Sequence, residues 1–268
     1  MKKVFITGSK GFVGRHLVNQ LQIEGFIVKE CDMYDCDVTS FPDIIRDLEG
    51  DVVIHLAARV RAGHSMKVPY QYIQTNVLGL INVLEVMRLK RIPRLIFISS
   101  AGVKGYTKGA PYLWSKRVGE LFVEMYAKLY GIEAVIIRPT NIYGEGNNKG
   151  IIYNFTKAKK ENRILKIYGD GSQTRDFVHV DDVVSAIIKA VGVKMYPKRN
   201  PICVEIGTGV ETSMIELAKK ISPNYTFVPI EKEEVGLKRS VADISKAQHH
   251  LKWTSKISLE EGIRRILK

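Results

Sequence analysis

The sequence predicts an α/β fold in which helices cover both faces of an open, parallel, doubly wound sheet. Short runs of Val, Ile, Leu and Phe alternate with longer amphipathic segments through the first half of the chain, as in folds built from strand–helix–strand units. These runs are nearly continuous in apolar residues, as expected for strands covered on both faces. After Pro139 the alternation loosens into Gly- and Asn-rich stretches, which predict a small C-terminal lobe.

The predicted elements follow a regular order. A first strand at 2–7 ends in glycines and is followed by a helix with apolar residues at helical spacing. Further strands are predicted at 26–31, 51–56, 94–99, 132–138 and 202–206, and helices at 77–89, 110–130, 180–191, 212–222 and 258–267. We expect a nucleotide-binding domain at 1–142, to which 177–206 returns, and a lobe formed by 143–176 and 207–268.

Composition and charge limit the classes of function. The chain of 268 residues carries a formal net charge of +13 on scattered lysines, which argues against nucleic-acid binding. Anionic ligands or a heat-adapted surface would explain the same charge. No apolar run approaches the roughly 20 residues of a membrane span, and the apolar run near the N-terminus is too short for a signal peptide. We therefore expect a cytoplasmic protein without a membrane partner.

The cysteines do not predict a metal site. Cys31, Cys36 and Cys203 lack a common zinc spacing, and no second Cys or His pair completes a set of ligands. We expect all three to be buried, reduced thiols.

Glycines at the first strand–helix junction predict a dinucleotide site. Gly8 permits a tight turn, Gly11 lets backbone N–H groups approach a pyrophosphate, and Gly14 allows close packing of helix against strand. The pyrophosphate would lie at the N-terminus of the helix, beside Phe12 and Val13.

An acidic residue at the end of the second predicted strand favours NAD. Asp32 can accept hydrogen bonds from both hydroxyls of the adenosine ribose and would repel the 2′-phosphate of NADP. The alternative is a solvated turn aspartate. Asp37 and Val38 lie where a short edge strand should end, and we expect them to cap the adenine ring, with Asp37 near the exocyclic amine.

A tyrosine and a lysine form the candidate catalytic pair. Tyr112 and Lys116 are i and i+4 on a predicted helix and so share a face. An ammonium beside a phenol lowers the phenol pKa from about 10, so Tyr112 can take a proton from a substrate alcohol as hydride leaves for the nicotinamide. Ser100, at a strand end, can hydrogen-bond the same alcohol. Tyr106 lacks such a lysine and is interpreted either as a substrate-lobe contact or as a loop aromatic.

These motifs occur in an order that resembles a known family. The chain is similar over essentially its whole length to extended short-chain dehydrogenases/reductases of the NAD-dependent epimerase/dehydratase family, among them the UDP-glucose 4-epimerases. The segments that carry the resemblance are TGSKGFVG, HLAA, TNVLGLINVLE, FISSAGVKG, PYLWSK, RPTNIYG, YGDGSQTRDFVHVDD and ADISKA. The resemblance implies a Rossmann-type nucleotide domain with a small C-terminal substrate-binding lobe.

The resemblance also implies roles for individual residues. Contacts with NAD are implied for residues of the HLAA segment, for residues near the nicotinamide and for the lysine that binds the ribose. These residues are Leu56, Ala57, Ala58, Asn76, Pro139, Tyr112 and Lys116. Contacts with the substrate are implied for Ser100, Tyr112, Asn141 near the diphosphate and Arg175 on the nucleotide phosphates. Asp176 and His179 are expected to hold the lobe junction together.

The implied activity is epimerisation at C4 of a nucleotide-activated hexose of the UDP-glucose type, through a 4-keto intermediate, by a homodimer that keeps its NAD. A reductase of nucleotide-linked 4-keto sugars that consumes NAD(P)H is the first alternative. A non-catalytic NAD-binding regulatory protein is the second. A dehydratase is disfavoured because Ala101 and Gly102 can supply neither the acid nor the base that elimination of water needs.

Several positions depart from the family pattern. Lys104 replaces the usual tyrosine, and the stretch from Ser100 to Tyr112 is shorter than in typical epimerases. Glu234 stands about where a phosphate-binding arginine is usual, and Lys238 and Arg239 are the candidate replacements.

Overall fold

The computed structural model describes residues 2–194, 200–229 and 238–268, except for the side chains of residues 106–108. The strands of the first half and of the domain junction are β1 (Lys3–Thr7), β2 (Ile27–Cys31), β3 (Val52–His55), β4 (Arg94–Ile98), β5 (Glu133–Pro139) and β6 (Asn141–Tyr143). The later strands are β7 (Leu165–Tyr168), β8 (Thr174–Arg175), β9 (Phe177–His179), β10 (Ile202–Ile206), β11 (Thr212–Ser213), β12 (Tyr225–Val228) and β13 (Arg239–Ser240).

Helices connect these strands. Those before β6 are α1 (Phe12–Ile23), α2 (Phe41–Asp47), α3 (Ala62–Ser65), α4 (Pro69–Ile73), α5 (Gly79–Leu89) and α6 (Pro111–Tyr130). A π-helical turn at Gln74–Leu78 leads into α5, and a 3₁₀ segment at Ala101–Lys108 leads towards α6. The remaining helices are α7 (Gly150–Lys160), α8 (Val180–Gly192), α9 (Met214–Ile221), α10 (Ser245–Leu251) and α11 (Leu259–Leu267). None of the helices in the described part of the chain has the length and apolar character to cross a membrane.

Six strands form the central sheet in the order β10–β5–β4–β3–β1–β2, and every neighbouring pair is parallel. Consecutive residues of β1 point to opposite faces: Val4 and Ile6 pack beneath α1 and α8, while Phe5 packs with Leu80 of α5 and Val123 of α6. Both faces are therefore covered, and the predicted doubly wound, Rossmann-type sheet is confirmed. The chain runs from β1 to β2 and then crosses back to β3, which places a ligand crevice at the carboxyl ends of these strands.

A third apolar cluster lies outside the central sheet. Phe155 of α7, Ile167 of β7, Leu217 of α9 and Ile263 of α11 are among its buried members. The strands here pair over long distances along the chain, as β7 does with β12. The Gly- and Asn-rich stretches that suggested loops therefore hold short elements that local sequence patterns did not predict.

The cysteines differ from the prediction. Cys31 and Cys36 form a disulfide, so the expectation of reduced thiols is wrong for this pair, whereas Cys203 is free. The Asp32 carbonyl accepts hydrogen bonds from the backbone N–H groups of Asp35 and Cys36, and this turn brings the two cysteine Cα atoms to 5.0 Å. The bridge closes the loop that contains Asp32.

Candidate functional site

The predicted site residues gather at the carboxyl edge of the central sheet. Gly8 follows β1, Asp32 follows β2, Leu56 follows β3 and Ser100 lies just beyond β4. Pro139 ends β5 and is buried. Because all these strands run in the same direction, their ends meet at one edge, and the start of α6 brings Tyr112 to the same place.

The glycine turn fits the diphosphate of a dinucleotide. Gly8 has φ +72°, and a Cβ there would lie 2.7 Å from the Ala57 nitrogen, while a Cβ on Gly14 would lie 2.3 Å from the Gly8 oxygen. Side chains at these positions would push the turn, α1 and the Ala57 segment apart. Helix α1 starts at Phe12 and Val13 with neither a side-chain cap nor an acidic residue in its first turn. Its N-terminal amides and dipole therefore suit an anionic group beside Gly11.

The Asp32 carboxylate lies at the mouth of this turn. It accepts hydrogen bonds from the backbone N–H of Lys10 at 3.0 Å and from that of Met33 at 2.9 Å. The Lys10 ammonium forms an ion pair with Asp35 at 3.1 Å. The carboxylate is thus held beside the glycine turn, where a ribose hydroxyl can replace a backbone donor.

The segment at Asp37 and Val38 differs from the prediction. No strand forms between β2 and α2; the Asp37 carboxylate instead accepts from the Thr39 backbone N–H at 2.9 Å in a turn. The Val38 side chain is buried against Gly79, and its carbonyl accepts from the Asn82 amide at 2.9 Å. The predicted edge strand is wrong because packing against α5 holds this segment in place of strand pairing.

Asn76 shapes the loop that follows Ala58. Its side chain is buried, its Oδ1 accepts from the Arg59 N–H at 2.8 Å, and its Nδ2 donates to the Arg59 carbonyl at 3.0 Å. The same Nδ2 donates to the Ser115 hydroxyl of α6 at 2.9 Å. Asn76 therefore connects the Ala57–Ala58 segment to the helix that carries Tyr112.

The Tyr112 phenol and the Ser100 hydroxyl lie close to each other, so that Ser100 acts on the pKa of the phenol. The backbone N–H of Tyr112 donates to the Ser65 hydroxyl at 3.1 Å, and the Tyr72 ring packs edge-on at 6.4 Å between centroids. Burial raises the pKa of Tyr112 to about 12, Ser100 acts in the opposite direction, and Tyr72 raises the pKa further. Tyr106 has its side chain outside the described part of the structure.

Lys116 is buried on the same face of α6. Its Nζ donates to the Ile98 carbonyl at 2.7 Å and lies 5.1 Å from the centre of the Phe97 ring. Burial lowers the pKa of Lys116 to about 8, and Glu120 opposes this shift. The prediction that Lys116 lowers the pKa of Tyr112 is wrong for this structure, because the ammonium is turned towards the end of β4 and burial dominates at the phenol.

Two buried polar residues near Lys116 were missed in the sequence. The Glu120 carboxylate accepts from the Ser99 hydroxyl at 2.6 Å and from the Arg138 guanidinium at 2.8 and 2.7 Å. Its position one helical turn beyond Lys116 was the available signal. His55 lies within 2.9 Å of the Thr7 hydroxyl, and burial together with Lys116 lowers its pKa to about 3, so the imidazole stays neutral beside the ammonium.

Asn141 and Asp176 lie at the junction of the sheet and the third cluster. Asn141 donates from its backbone N–H and its Nδ2 to the Asp176 carbonyl, both at 3.1 Å. The buried Asp176 carboxylate accepts from the backbone N–H groups of Thr208, Gly209 and Ala242, in keeping with the predicted junction role.

Arg175 is partly buried on β8, and its Nη1 donates to the Thr174 carbonyl at 2.8 Å and to the Lys238 carbonyl at 3.4 Å. Arg239 forms an ion pair with Glu211. Glu234 lies outside the described residues.

The fold and the Ser100–Tyr112–Lys116 arrangement define a dinucleotide-binding enzyme of the short-chain dehydrogenase/reductase type. The chain belongs to the NAD dependent epimerase/dehydratase family, whose sequence profile matches residues 4–199. It is 30% identical to the UDP-glucose 4-epimerase of Mycolicibacterium smegmatis, over 97% of this chain and 96% of that protein.

Solved structures show the same similarity. A Thermotoga maritima UDP-glucose 4-epimerase determined with UDP-glucose has a TM-score of 0.90 at 27% identity and covers 99% of this chain and 97% of that one. MoeE5, determined with UDP-glucuronic acid and NAD, has a TM-score of 0.88 at 25% identity and the same coverage.

Proposed function

We propose that this protein is an NAD-dependent 4-epimerase of a UDP-linked hexose. The observation that carries the proposal is the proximity of Tyr112 and Ser100 at the same sheet edge as the glycine turn and Asp32. Related proteins with UDP-glucose 4-epimerase in their names support the sugar-nucleotide class.

NAD would lie along the sheet edge. Its diphosphate would contact the glycine turn, its adenosine ribose Asp32, its adenine Asp37 and Val38, and its central part the Leu56–Ala58 segment. Asn76 would maintain that segment, and Pro139 and Lys116 would approach the nicotinamide end. When bound, NAD supplies a hydride acceptor that returns the hydride to the sugar within the same turnover.

The chain's own residues would move the proton. Tyr112 takes the proton of the C4 hydroxyl, while Ser100 donates a hydrogen bond that holds the developing keto oxygen in place. The 4-keto sugar then rotates within the site, so that the hydride returns to the opposite face of C4. Tyr112 gives the proton back to the oxygen, and the C4 epimer results. Because burial, opposed by Ser100, raises the pKa of Tyr112 to about 12, the positive charge of a bound oxidised nicotinamide would be needed to favour the phenolate.

The nucleotide would be held between the two parts of the chain. We propose that 1–142 with 177–206 binds NAD and that 143–176 with 207–268 forms the substrate lobe, which the third apolar cluster supports. Asn141 and Arg175 lie at the boundary, where an amide and a guanidinium can bind a diphosphate.

Pure protein incubated with UDP-glucose and no added cofactor should form UDP-galactose, and NAD should be released when the protein is denatured. Chromatography of the sugar nucleotides and of the released cofactor measures both. Steady oxidation of NADH with a 4-keto sugar and no epimer would favour the reductase instead. Bound NAD without any conversion would favour the regulatory protein.

We also propose that the protein is a homodimer that pairs through α6 and α5. Leu121, Met125 and Leu129 of α6 are 48, 37 and 66% exposed on one chain, and a second copy would cover these apolar side chains. Leu121→Glu should convert the dimer to a monomer in light-scattering measurements. Ile23→Glu, a charge added to an exposed apolar position of α1, is the control and should leave the mass unchanged. A parent protein with the mass of a monomer would contradict the proposal.

A further inference from the structure

Lys104, one of the positions at which the sequence departs from the family pattern, forms an ion pair with Glu205 of β10. Its Nζ lies 2.7 Å from Glu205 Oε1, and the two side chains are 50% and 10% exposed. The second carboxylate oxygen of Glu205 accepts from the Asp243 backbone N–H at 2.9 Å. The pair therefore joins the 3₁₀ segment Ala101–Lys108 to the end of β10 and to the chain before α10.

The 3₁₀ segment determines how Ser100 meets Tyr112. The Gly102 N–H donates to the Ser100 hydroxyl at 3.2 Å, and the Val103 N–H donates to the Ser100 carbonyl at 3.2 Å. A Cβ on Gly102 or on Gly109 would lie 2.8 or 2.6 Å from Leu113. Gly102 near the start of the segment and Gly109 just after its end thus pack on Leu113, the residue next to Tyr112. A shift of the segment would therefore move Ser100 relative to the phenol.

The ion pair between the 3₁₀ segment and Glu205 depends on Lys104. Glu205 lies opposite Arg138 in the β10–β5 register, and Arg138 is already bonded to Glu120. Lys104 also attracts the Asp243 carboxylate and contributes to its lowered pKa, behind the larger effect of the Ser245 hydrogen bonds. When Lys104 is lost, Glu205 keeps its hydrogen bond from Asp243, whereas the segment loses this ion pair with β10.

We propose that Lys104 and Glu205 are positioning residues that hold the turn bearing Ser100 against Tyr112 and so align the C4 hydroxyl of the sugar. This inference rests on the proposed function. Neither residue touches the reacting atoms; they act through the 3₁₀ segment. The connection between Ser100 and Tyr112 is short in this chain. The ion pair stabilises this connection at one side of the sugar site.

The test compares Lys104→Met, Glu205→Gln, the double variant and the conservative Lys104→Arg, each loaded with NAD. Lys104→Met and Glu205→Gln should each lower kcat about tenfold, because small misplacements of reacting groups are costly, while KM for UDP-glucose stays within about threefold. The double variant should lose no more than the worse single variant. Lys104→Arg should recover most of kcat. Lys246→Met, which removes a nearby positive charge without contacting Glu205, is the control and should resemble the parent.

Affinity for NAD, measured by calorimetry, should be unchanged in all variants, because the pair lies away from the glycine turn. Additive losses in the double variant, or equal losses in Lys104→Met and Lys246→Met, would overturn the inference. A parent that forms no epimer refutes the proposed function instead. The inference is then decided by crystal structures of the NAD-loaded variants, in which Ser100 must be displaced from Tyr112 in Lys104→Met and returned in Lys104→Arg.

Discussion

Tyr112→Phe should reduce kcat for epimerisation about a thousandfold, the range expected when a general acid–base group is removed. Phenylalanine keeps the ring that packs edge-on against Tyr72 and removes only the hydroxyl that lies beside Ser100. The folded state should therefore persist, and NAD should still bind. A thousandfold loss corresponds to about 4 kcal/mol of transition-state stabilisation. Initial rates of UDP-galactose formation and the amount of NAD released on denaturation are the measurements.

Tyr130→Phe is the matched control, because Tyr130 lies at the other end of α6 and is half exposed. It should retain parental kcat. If Tyr112→Phe kept more than about a tenth of the activity, the hydroxyl would not be the proton acceptor, since general-base removal costs at least about a hundredfold. A loss of NAD from Tyr112→Phe would mean that the substitution had disturbed the site and not only its chemistry.

The strands and helices of the nucleotide domain could be predicted because local pattern and tertiary structure agree there. The strand predicted at 202–206 is β10 (Ile202–Ile206), and the helix predicted at 110–130 begins one residue later, at Pro111. The inner strands of this sheet are apolar on both faces, and helices cover both. The pattern was therefore unambiguous without knowledge of any partner.

The lobe could not be predicted in this way, since its strands are short and depend on distant partners. Tyr225–Val228 forms a strand only because it pairs with Leu165–Tyr168, far earlier in the chain. The Lys104–Glu205 ion pair also joins residues far apart in the chain. The Cys31–Cys36 disulfide instead depends on the conformation of a local turn, which the spacing of the two cysteines did not show. Residue types and spacing do not reveal such proximity.

Within the site, the sequence predicted which residues meet but not how they are oriented. Helical spacing placed Tyr112 and Lys116 on one face, and the structure agrees. Spacing could not show that the Lys116 ammonium donates to the Ile98 carbonyl, because that contact depends on the end of β4. The pKa of Tyr112 consequently follows its burial first and the neighbouring Ser100 second.

Lys116→Met should lower kcat about a hundredfold, the scale of one lost electrostatic contact in a buried site. The substitution should also change how the free energy of unfolding depends on pH. Burial lowers the pKa of Lys116 from 10.5 to about 8. Between these pH values the unfolded chain binds this proton and the folded chain does not, so the free energy of unfolding rises with pH. Methionine removes this contribution. The difference in unfolding free energy, parent minus variant, should therefore increase by about 2 kcal/mol from pH 8 to pH 9.5.

Urea unfolding of the NAD-free proteins at the two pH values measures this difference, because bound NAD would add its own stabilisation. Lys128→Met is the control, since Lys128 is an exposed lysine in the last turn of the same helix. Its difference from the parent should be independent of pH. If Lys116→Met behaved like Lys128→Met, the ammonium would not be desolvated in the folded protein. The pH dependence thus separates the burial of Lys116 from its part in catalysis, which a loss of activity alone does not do.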